Sequence, residues 1–247
     1  MAKLLHFEFH KLIRQKSFYI CLAVAVAMLV VSTCTTYLIN KDVMDTAEMG
    51  IDAMNVMIGS ASGGVLSMVI GVFIPLFACE DYVSGTIRNI VTRGYSRLGI
   101  FSAKLIAVML ATTVMTIACM AAGYLIGLIF SGSGVEPFDA NTVNILLCQL
   151  AVMLAEGALF YAISTVLQKT GGSIAVCLVL PMVLTIVLTL TDTALAEKDI
   201  SLSAYWLERI SGTLSSFDVK SADMKKALLT ALGYFVVTSA GSFLAVM

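Results

Sequence analysis

Apolar residues run along this chain in six long stretches, and each stretch is long enough to cross a membrane as a helix. Five of the stretches contain no Asp, Glu, Lys or Arg, and the fourth in order contains only Glu156. A helix needs about 20 mostly apolar residues to cross the hydrocarbon core, and its backbone groups are paired within the segment itself. The predicted spans cover residues 17–40, 53–79, 105–131, 142–168, 170–191 and 227–247. The pattern predicts an all-α polytopic membrane protein with six transmembrane helices in a single domain, 1–247.

Charged residues are distributed unevenly between the two sides of these spans. They make up 13% of the chain, whereas apolar residues make up 59%. The N-terminal segment, the connection between spans two and three and the turn between spans four and five hold nine basic and three acidic residues, whereas the opposite connections hold six and twelve. Cytoplasmic loops are the ones rich in Lys and Arg. We therefore expect a multi-pass protein of the plasma membrane with both termini in the cytoplasm, and nothing indicates nucleic-acid binding.

The first 16 residues have the periodicity of an amphipathic helix. Leu5, Phe9, Leu12 and Ile13 fall on one face. The other face carries Lys3, His6, His10 and Arg14. Such a helix lies in the membrane interface, either as an anchor that fixes the topology or as an elbow that also contacts a cytoplasmic partner. The two histidines have the i, i+4 spacing of a metal-ligand pair, but no third ligand is evident, so we interpret them as part of the polar face.

Three residues within the spans are candidates for the transport pathway. Pro75 and Pro181 each remove a backbone donor, which usually bends a helix, although proline is frequent in membrane helices. Glu156 is the only charged side chain deep in a span, and such a carboxylate normally faces a cavity or a partner. It could line the path, attract a cationic peptide, bond Gln149, or be protonated and packed.

The sequence supports three further predictions. The longest outer connection, residues 192–226, contains Tyr205 and Trp206 beside Leu207 and Ile210. This pattern predicts a short helix on or in the outer leaflet, which is either an interfacial anchor or an outer gate.

Gly123 and Gly127 form a GxxxG that indicates close helix packing. The last span ends at Met247 with no basic residue after it, and we expect a short basic tail to follow.

One charged segment, residues 80–97, interrupts the apolar pattern. Val83, Ile87, Ile90 and Val91 fall on one face of a predicted helix of about three turns. Ser84 is suited to cap its start, and Gly94 to supply the left-handed residue after its end. The apolar face is too short for a membrane anchor. A short helix that is apolar on one side and carries arginines on the other is suited to a groove on a partner protein.

This segment resembles the signature of ABC-2 type permeases. The residues that carry the resemblance are Glu80, Gly85, Thr86, Ile87, Arg88, Ile90 and Val91, followed by Ser96, Arg97 and Lys104. The order of an N-terminal elbow, six spans and a large last outer loop is also similar. The nearest resemblance is to the peptide-handling branch, which contains bacitracin-resistance and lantibiotic-immunity permeases and exporters of phenol-soluble modulins. The family's basic C-terminal tail is absent from this sequence.

The resemblance implies a coupling helix between spans two and three. In such transporters two permease subunits pair above two cytoplasmic ABC ATPase subunits, so we expect a homodimer here. The residues implied in coupling are Glu80, Asp81, Gly85, Thr86, Arg88, Asn89, Arg93 and Arg97. Gly85 and Thr86 would form the tight entry to the helix, the arginines would face the ATPase or hold the elbow, and Glu80 would make a polar contact where the second span ends.

The chain is predicted to be a transport subunit and not an enzyme. It contains no GxxxxGK[ST] phosphate loop, so we expect ATP and Mg²⁺ to be bound by the partner and no cofactor or metal by this chain. All six cysteines lie in predicted spans without a CxxC pair, which is typical of apolar packing.

The expected cargo is an amphipathic or antimicrobial peptide, because the spans are apolar and contain few polar groups. Export of a lipid or a hydrophobic drug is the alternative. An ion-coupled carrier is less well supported, because that class usually buries several ionisable groups or has inverted repeats. A membrane scaffold or receptor without transport remains the third class.

Overall fold

The computed structural model describes residues 2–43, 53–62, 64–92, 94, 96–131, 140–194, 203–215 and 221–246. These residues form helices and no strand. The helices are α1 (Ala2–Arg14), α2 (Lys16–Val43), α3 (Ala53–Ala61), α4 (Gly64–Val83), α5 (Thr86–Thr92), α6 (Arg97–Ser131), α7 (Ala140–Leu167), α8 (Thr170–Ala194), α9 (Leu207–Leu214) and α10 (Ser221–Val246).

Six segments are long and apolar enough to cross a membrane, which confirms the predicted all-α, six-span architecture. They cover Lys16–Ile39, Ala53–Val83, Leu98–Phe130, Asn141–Leu167, Thr170–Ala194 and Asp223–Phe243. With an even number of spans, α1 and the last turns of α10 lie at one end of the bundle. We call this the proximal end and the opposite one the distal end.

The second and fourth spans form the centre of the bundle. In the most apolar part of the second span 65% of the residues are buried, against 11% in α8. The helix α7 contacts α4, α6, α8, α9 and α10. The proximal half of the core contains many aromatic side chains, among them Phe18, Phe73, Phe77 and Phe160, whereas the distal half contains Met54, Met57, Met120 and Met224. The outward faces of α2, α8 and α10 are apolar, as contact with lipid requires.

The second span is interrupted, although its sequence predicts one continuous helix. The helix α3 ends at Ala61 and α4 begins at Gly64. The Ser62 backbone N–H donates to Gly59 O at 3.2 Å, so it no longer pairs with Ile58 O as it would in a continuing α-helix. The amide Nε2 of Gln149 donates to Ile58 O instead, at 3.0 Å. A side chain of α7 thus satisfies the carbonyl that the interruption releases.

The interruption does not occur at Pro75, the residue of the second span at which the sequence predicts a bend. The helix α4 continues through Pro75, which is buried. The side chains of Ser60 and Ser62 bond the carbonyls of Met57 and Gly59, at 2.7 and 2.8 Å. Hydroxyls bond preceding carbonyls in the same way within the uninterrupted helices α2 and α6. Gly64, by contrast, has φ +50°, a left-handed conformation that does not continue a helix, and we attribute the interruption to the turn that ends at this glycine.

The GxxxG of α6 packs against α3 within the same chain. A Cβ atom on Gly127 would lie 2.6 Å from the Cα of Ala53, and one on Gly123 would lie 2.7 Å from the Ser60 hydroxyl. Such distances are too short for any side chain, so glycine permits the two backbones to approach. The motif therefore serves contact inside the subunit.

The predicted short helix of the last outer connection is confirmed as α9. It starts after Trp206 and buries Leu207, Ile210 and Leu214 against α3, α7 and α10. Its position is therefore fixed by the distal core.

Replacement of Gly127 by Ala is expected to destabilise the protein by about 1–3 kcal/mol, the usual cost of overpacking. The matched control is Gly233→Ala in α10, where an added Cβ meets no atom within 4 Å. Alanine is the better helix former, so the control should be neutral or slightly stabilising. Thermal unfolding of the two purified variants measures the difference. Equal melting temperatures would show that α3 and α6 do not pack this closely.

Candidate functional site

Four helices meet at the proximal end of the bundle, where the sequence placed the charged segment. The helix α1 packs on α6, and α4 leads through a short turn into α5. Leu4 of α1 forms a small apolar cluster with Ile100 and Ala103 of α6, against which Ile90 of α5 packs. The cluster holds α1, α5 and α6 in contact.

Asp81, near the end of α4, is a buried carboxylate with a lysine on each oxygen. Its Oδ1 lies 2.5 Å from Lys11 Nζ of α1, and its Oδ2 bonds Lys104 Nζ of α6. Lys104 is 2% exposed, and it also donates to Ala78 O at 3.3 Å. One side chain thereby connects three helices through charge-assisted bonds, which are the strong class of hydrogen bond.

Glu80 extends this arrangement toward solvent. Its Oε2 lies 3.1 Å from Lys11 Nζ and accepts a hydrogen bond from Gln15 Nε2 at 3.2 Å. The Lys11 ammonium also lies 5.3 Å from the centre of the Phe77 ring. Burial favours the neutral amine of Lys11, but the hydrogen bonds and charges of Asp81 and Glu80 outweigh it, so the pKa of Lys11 is raised. We call Lys11, Glu80, Asp81 and Lys104 the Asp81 network.

Glu8 of α1 lies beside this network without joining it. It is 1% exposed, and its Oε2 has no hydrogen-bond partner among the described residues. Burial raises the pKa of Glu8, and the positive charge of Lys104 opposes that effect only in part. The four charges of the Asp81 network already balance as two positive and two negative. An ionised Glu8 would add a negative charge without a counter-ion to this balance.

The buried stripe of α1 differs from the apolar face that the sequence predicts. The structure buries Leu4, Glu8 and Leu12, whereas Phe9 and Ile13 are 42% and 50% exposed. The side chains of His6, His10 and Arg14 are also exposed. The helix is therefore rotated relative to the prediction. The stripe of Leu4, Glu8 and Leu12 faces the protein, whereas Phe9 and Ile13 face outward.

The connection from α4 to α5 is a tight turn at Gly85. Gly85 has φ +69°, a left-handed conformation that residues other than glycine rarely adopt. The Ser84 hydroxyl lies 2.8 Å from that of Thr86. The helix α5 spans seven residues, so it has two turns and not the predicted three. Val83 is 71% exposed at the end of α4, and its predicted place on α5 is wrong, because the turn at Gly85 intervenes.

Two of the three arginines implied in coupling lie in described helices. Arg88 and Asn89 lie on α5, and Arg97 is the first residue of α6. Arg93 lies outside the described residues. Gly94 has φ +85°, which confirms the predicted left-handed residue after the helix.

The pathway candidates lie in the core and not at the proximal end. Glu156 is 2% exposed; its Oε2 has no hydrogen-bond partner among the described residues, and Ser67 of α4 interacts with its carboxyl group. Gln149 donates to Ile58 O, as described above. Pro75 and Pro181 are buried on α4 and α8.

The sequence missed two members of the proximal site, Glu8 and Lys11. Both lie on α1, where Lys11 bonds Asp81 and Glu8 is buried beside the network. The signal that could have found Glu8 is the spacing of Leu4, Glu8 and Leu12, which places a carboxyl group on an otherwise apolar helical stripe. No local pattern singles out Lys11.

Residues 4–192 match a family model described as an ABC-2 family transporter protein. The chain belongs to the ABC-2 transporter family. The matched residues include all of the Asp81 network and the described part of α5, whereas α9 and α10 follow them. A search of curated proteins finds no match. Family membership makes this protein the membrane-spanning permease of an ABC transporter, which associates with a separate ABC ATPase.

Replacement of Asp81 by Asn is expected to destabilise the permease by about 3–5 kcal/mol, because it leaves Lys104 buried without a counter-ion. The matched control is Glu80→Gln, whose side chain is 50% exposed and should cost less than about 1 kcal/mol. Adding Lys104→Met to Asp81→Asn should recover part of the loss. Apparent melting temperatures of the purified variants measure these effects, and an equal loss in both single variants would contradict a buried network.

Replacement of Glu8 by Gln is expected to stabilise the protein at neutral pH and not in acid. Because its folded-state pKa is raised above the ordinary 4.5, the stability that Glu8 contributes is full below that value and is lost as the pH rises through the folded pKa. Glutamine has no such loss, so the melting temperature of Glu8→Gln should exceed that of the wild type by more at pH 8 than at pH 5. Asp223→Asn, an exposed carboxylate, controls for loss of charge. A gap that is larger at pH 5 would contradict the inference.

Proposed function

We propose that this permease is the transmembrane subunit of an ATP-driven exporter and that α5 is its coupling helix. In this proposal the proximal end is cytoplasmic, both termini lie there, and the protein is in the plasma membrane. The excess of basic residues at this end supports that orientation. ATP and Mg²⁺ are bound by the ATPase subunits, and two copies of the permease form the translocation unit.

The observation that carries the proposal is the direct connection between α5 and the helices around it. The helix α5 begins five residues after Asp81, and Asp81 bonds Lys11 of α1 and Lys104 of α6. A force on α5 therefore acts on a charge-bonded unit of α1, α4 and α6. Helices joined by buried ion pairs move together, because separating them would leave charges unpaired. Such a unit is suited to transmit ATPase closure into the spans.

The roles of individual residues follow from this arrangement. Gly85 and Thr86 set the angle at which α5 leaves α4. Arg88, Asn89, Arg93 and Arg97 contact the ATPase, and the exposed residues His6, Phe9, His10 and Arg14 lie in the cytoplasmic interface of the membrane. Glu156, Pro75 and Pro181 belong to the transport pathway.

An amphipathic or antimicrobial peptide is the proposed cargo, and resistance to peptide antibiotics is the expected biological effect. The spans are apolar and contain few polar groups, which supports a cargo that is itself soluble in the membrane. Export of a lipid or hydrophobic drug is the alternative. The Glu156 oxygen that has no hydrogen-bond partner within the described part of the chain favours an ion-coupled carrier as the second class of function.

Replacement of Gly85 by Val is expected to uncouple the transporter. Valine is a genuine outlier at positive φ, so the turn should rearrange and displace α5. The matched control is Gly171→Val at the start of α8, where an added Cβ meets no atom within 4 Å and φ is not positive. The permease is co-purified with its ABC ATPase and reconstituted, and ATPase activity is measured over a panel of amphipathic peptides. Gly85→Val should reduce the stimulation several-fold, whereas Gly171→Val should retain it.

A different result of these experiments would contradict each part of the proposal. Failure of the wild-type permease to retain an ABC ATPase would contradict the coupling role of α5. Retention of the ATPase with no stimulation by any peptide, but with stimulation by lipid or drug, would replace the cargo. Transport that follows a proton gradient without an ATPase would support the ion-coupled carrier.

A further inference from the structure

The short helix α9 has two faces of opposite character. Its apolar face, Leu207, Ile210 and Leu214, is buried in the distal core. Its polar face carries Glu208, Arg209, Gly212 and Thr213, and it borders a cavity of about 530 Å³. The remaining lining residues are Gly64 of α4 and Thr185 of α8. Every residue that lines the cavity is therefore polar or glycine, although the bundle around it is apolar.

The acidic side of this cavity is held in place by α8. The indole N–H of Trp206 donates to the Thr185 hydroxyl at 2.9 Å, and that hydroxyl donates to Glu208 Oε2 at 2.5 Å. Trp206 is 5% exposed. A carboxylate that is oriented by a hydrogen-bond chain to a buried tryptophan is a built feature of the site and not a freely rotating surface group.

The basic side of the cavity is an exposed arginine. Arg209 is directly next to Glu208 in the sequence, and it forms no ion pair with any acidic residue that the structure describes. A guanidinium group presents paired donors that match the oxygens of a phosphate or carboxylate. Arg209 therefore offers a binding position for an anionic group on the same cavity wall as the Glu208 carboxylate.

The depth of the cavity along the spans identifies the source of such a group. Gly64 lies about 28 Å along the axis of α4 from Val83, and Thr185 lies about 22 Å along α8 from Thr170. The hydrocarbon core is about 30 Å thick. The cavity thus lies in the distal third of the core, within side-chain reach of the lipid headgroups at its border. Arginine side chains near helix ends extend to that border and reach phosphates.

We propose that this cavity binds the headgroup of a distal-leaflet phospholipid that carries both a phosphate and a primary amine, as in phosphatidylethanolamine. Arg209 binds the phosphate and Glu208 accepts hydrogen bonds from the ammonium. A quaternary ammonium has no N–H to donate to Glu208, and a purely anionic headgroup would be repelled by it. The bound lipid connects α9 to the membrane, whatever cargo the transporter moves.

The test measures lipids that remain bound to the permease. The purified protein is reconstituted in nanodiscs containing equal amounts of phosphatidylethanolamine, phosphatidylcholine and phosphatidylglycerol, and retained lipids are identified by native mass spectrometry. The wild type should retain phosphatidylethanolamine preferentially. Arg209→Gln should reduce that retention about tenfold, because a charge-assisted hydrogen bond is lost. Glu208→Gln should instead abolish the preference over phosphatidylcholine. Lys225→Gln, an exposed base on α10, is the matched control and should retain the wild-type pattern.

Three outcomes would overturn the proposal. Unchanged retention in Arg209→Gln would exclude the cavity as the binding site. An unchanged preference in Glu208→Gln would exclude recognition of the amine. Displacement of the lipid by soluble glycerophosphoethanolamine or by an amphipathic peptide at equimolar concentration would assign the cavity to a free headgroup or to cargo. Circular dichroism and melting temperature confirm that each variant is folded.

Discussion

A buried carboxylate at the proximal end, Asp81, determines how three helices of this permease are arranged. Ionised groups are removed from water only at a large cost, which is offset when each is paired and hydrogen-bonded. Asp81 meets this requirement with one lysine on each oxygen, and the lysines come from α1 and α6. If either helix moved away, a charge would remain without its partner. The N-terminal helix is therefore part of the transmembrane unit and not a separate anchor on its surface.

The same need to pair buried polar groups explains how an interruption of the second span is tolerated. A helix that ends within a membrane leaves carbonyl groups without donors, and lipid supplies none. Gln149 of α7 donates to Ile58 O at this point, and the close approach of α3 to the glycines of α6 encloses the short helix. An interruption of this kind is tolerated because neighbouring helices provide both the hydrogen bond and the packing. It divides the second span into a distal segment and a proximal segment, and the proximal one ends at the Asp81 network.

The two ends of the bundle use charge differently. At the proximal end charged side chains are paired inside the protein, so that α1, α4 and α6 form one unit beside α5. At the distal end Glu208 and Arg209 face a shared cavity, and Arg209 has no protein counter-ion among the described residues. Paired charges suit a rigid connection that transmits force, whereas an unpaired charge beside a cavity suits a ligand from the surroundings.

The sequence by itself determined the six spans, the turn residue Gly94, the short helix α9 and the family, because hydropathy, length and motif are local properties of the chain. It also placed a short helix after the second span, but it assigned Val83 to that helix, because periodicity alone does not register a left-handed turn at Gly85. Only the tertiary structure decided which face of α1 is buried and which lysines pair with Asp81. Lys11 lies 70 residues from Asp81 and Lys104 lies 23 residues from it, and contacts over such separations depend on helix packing, which no local pattern encodes.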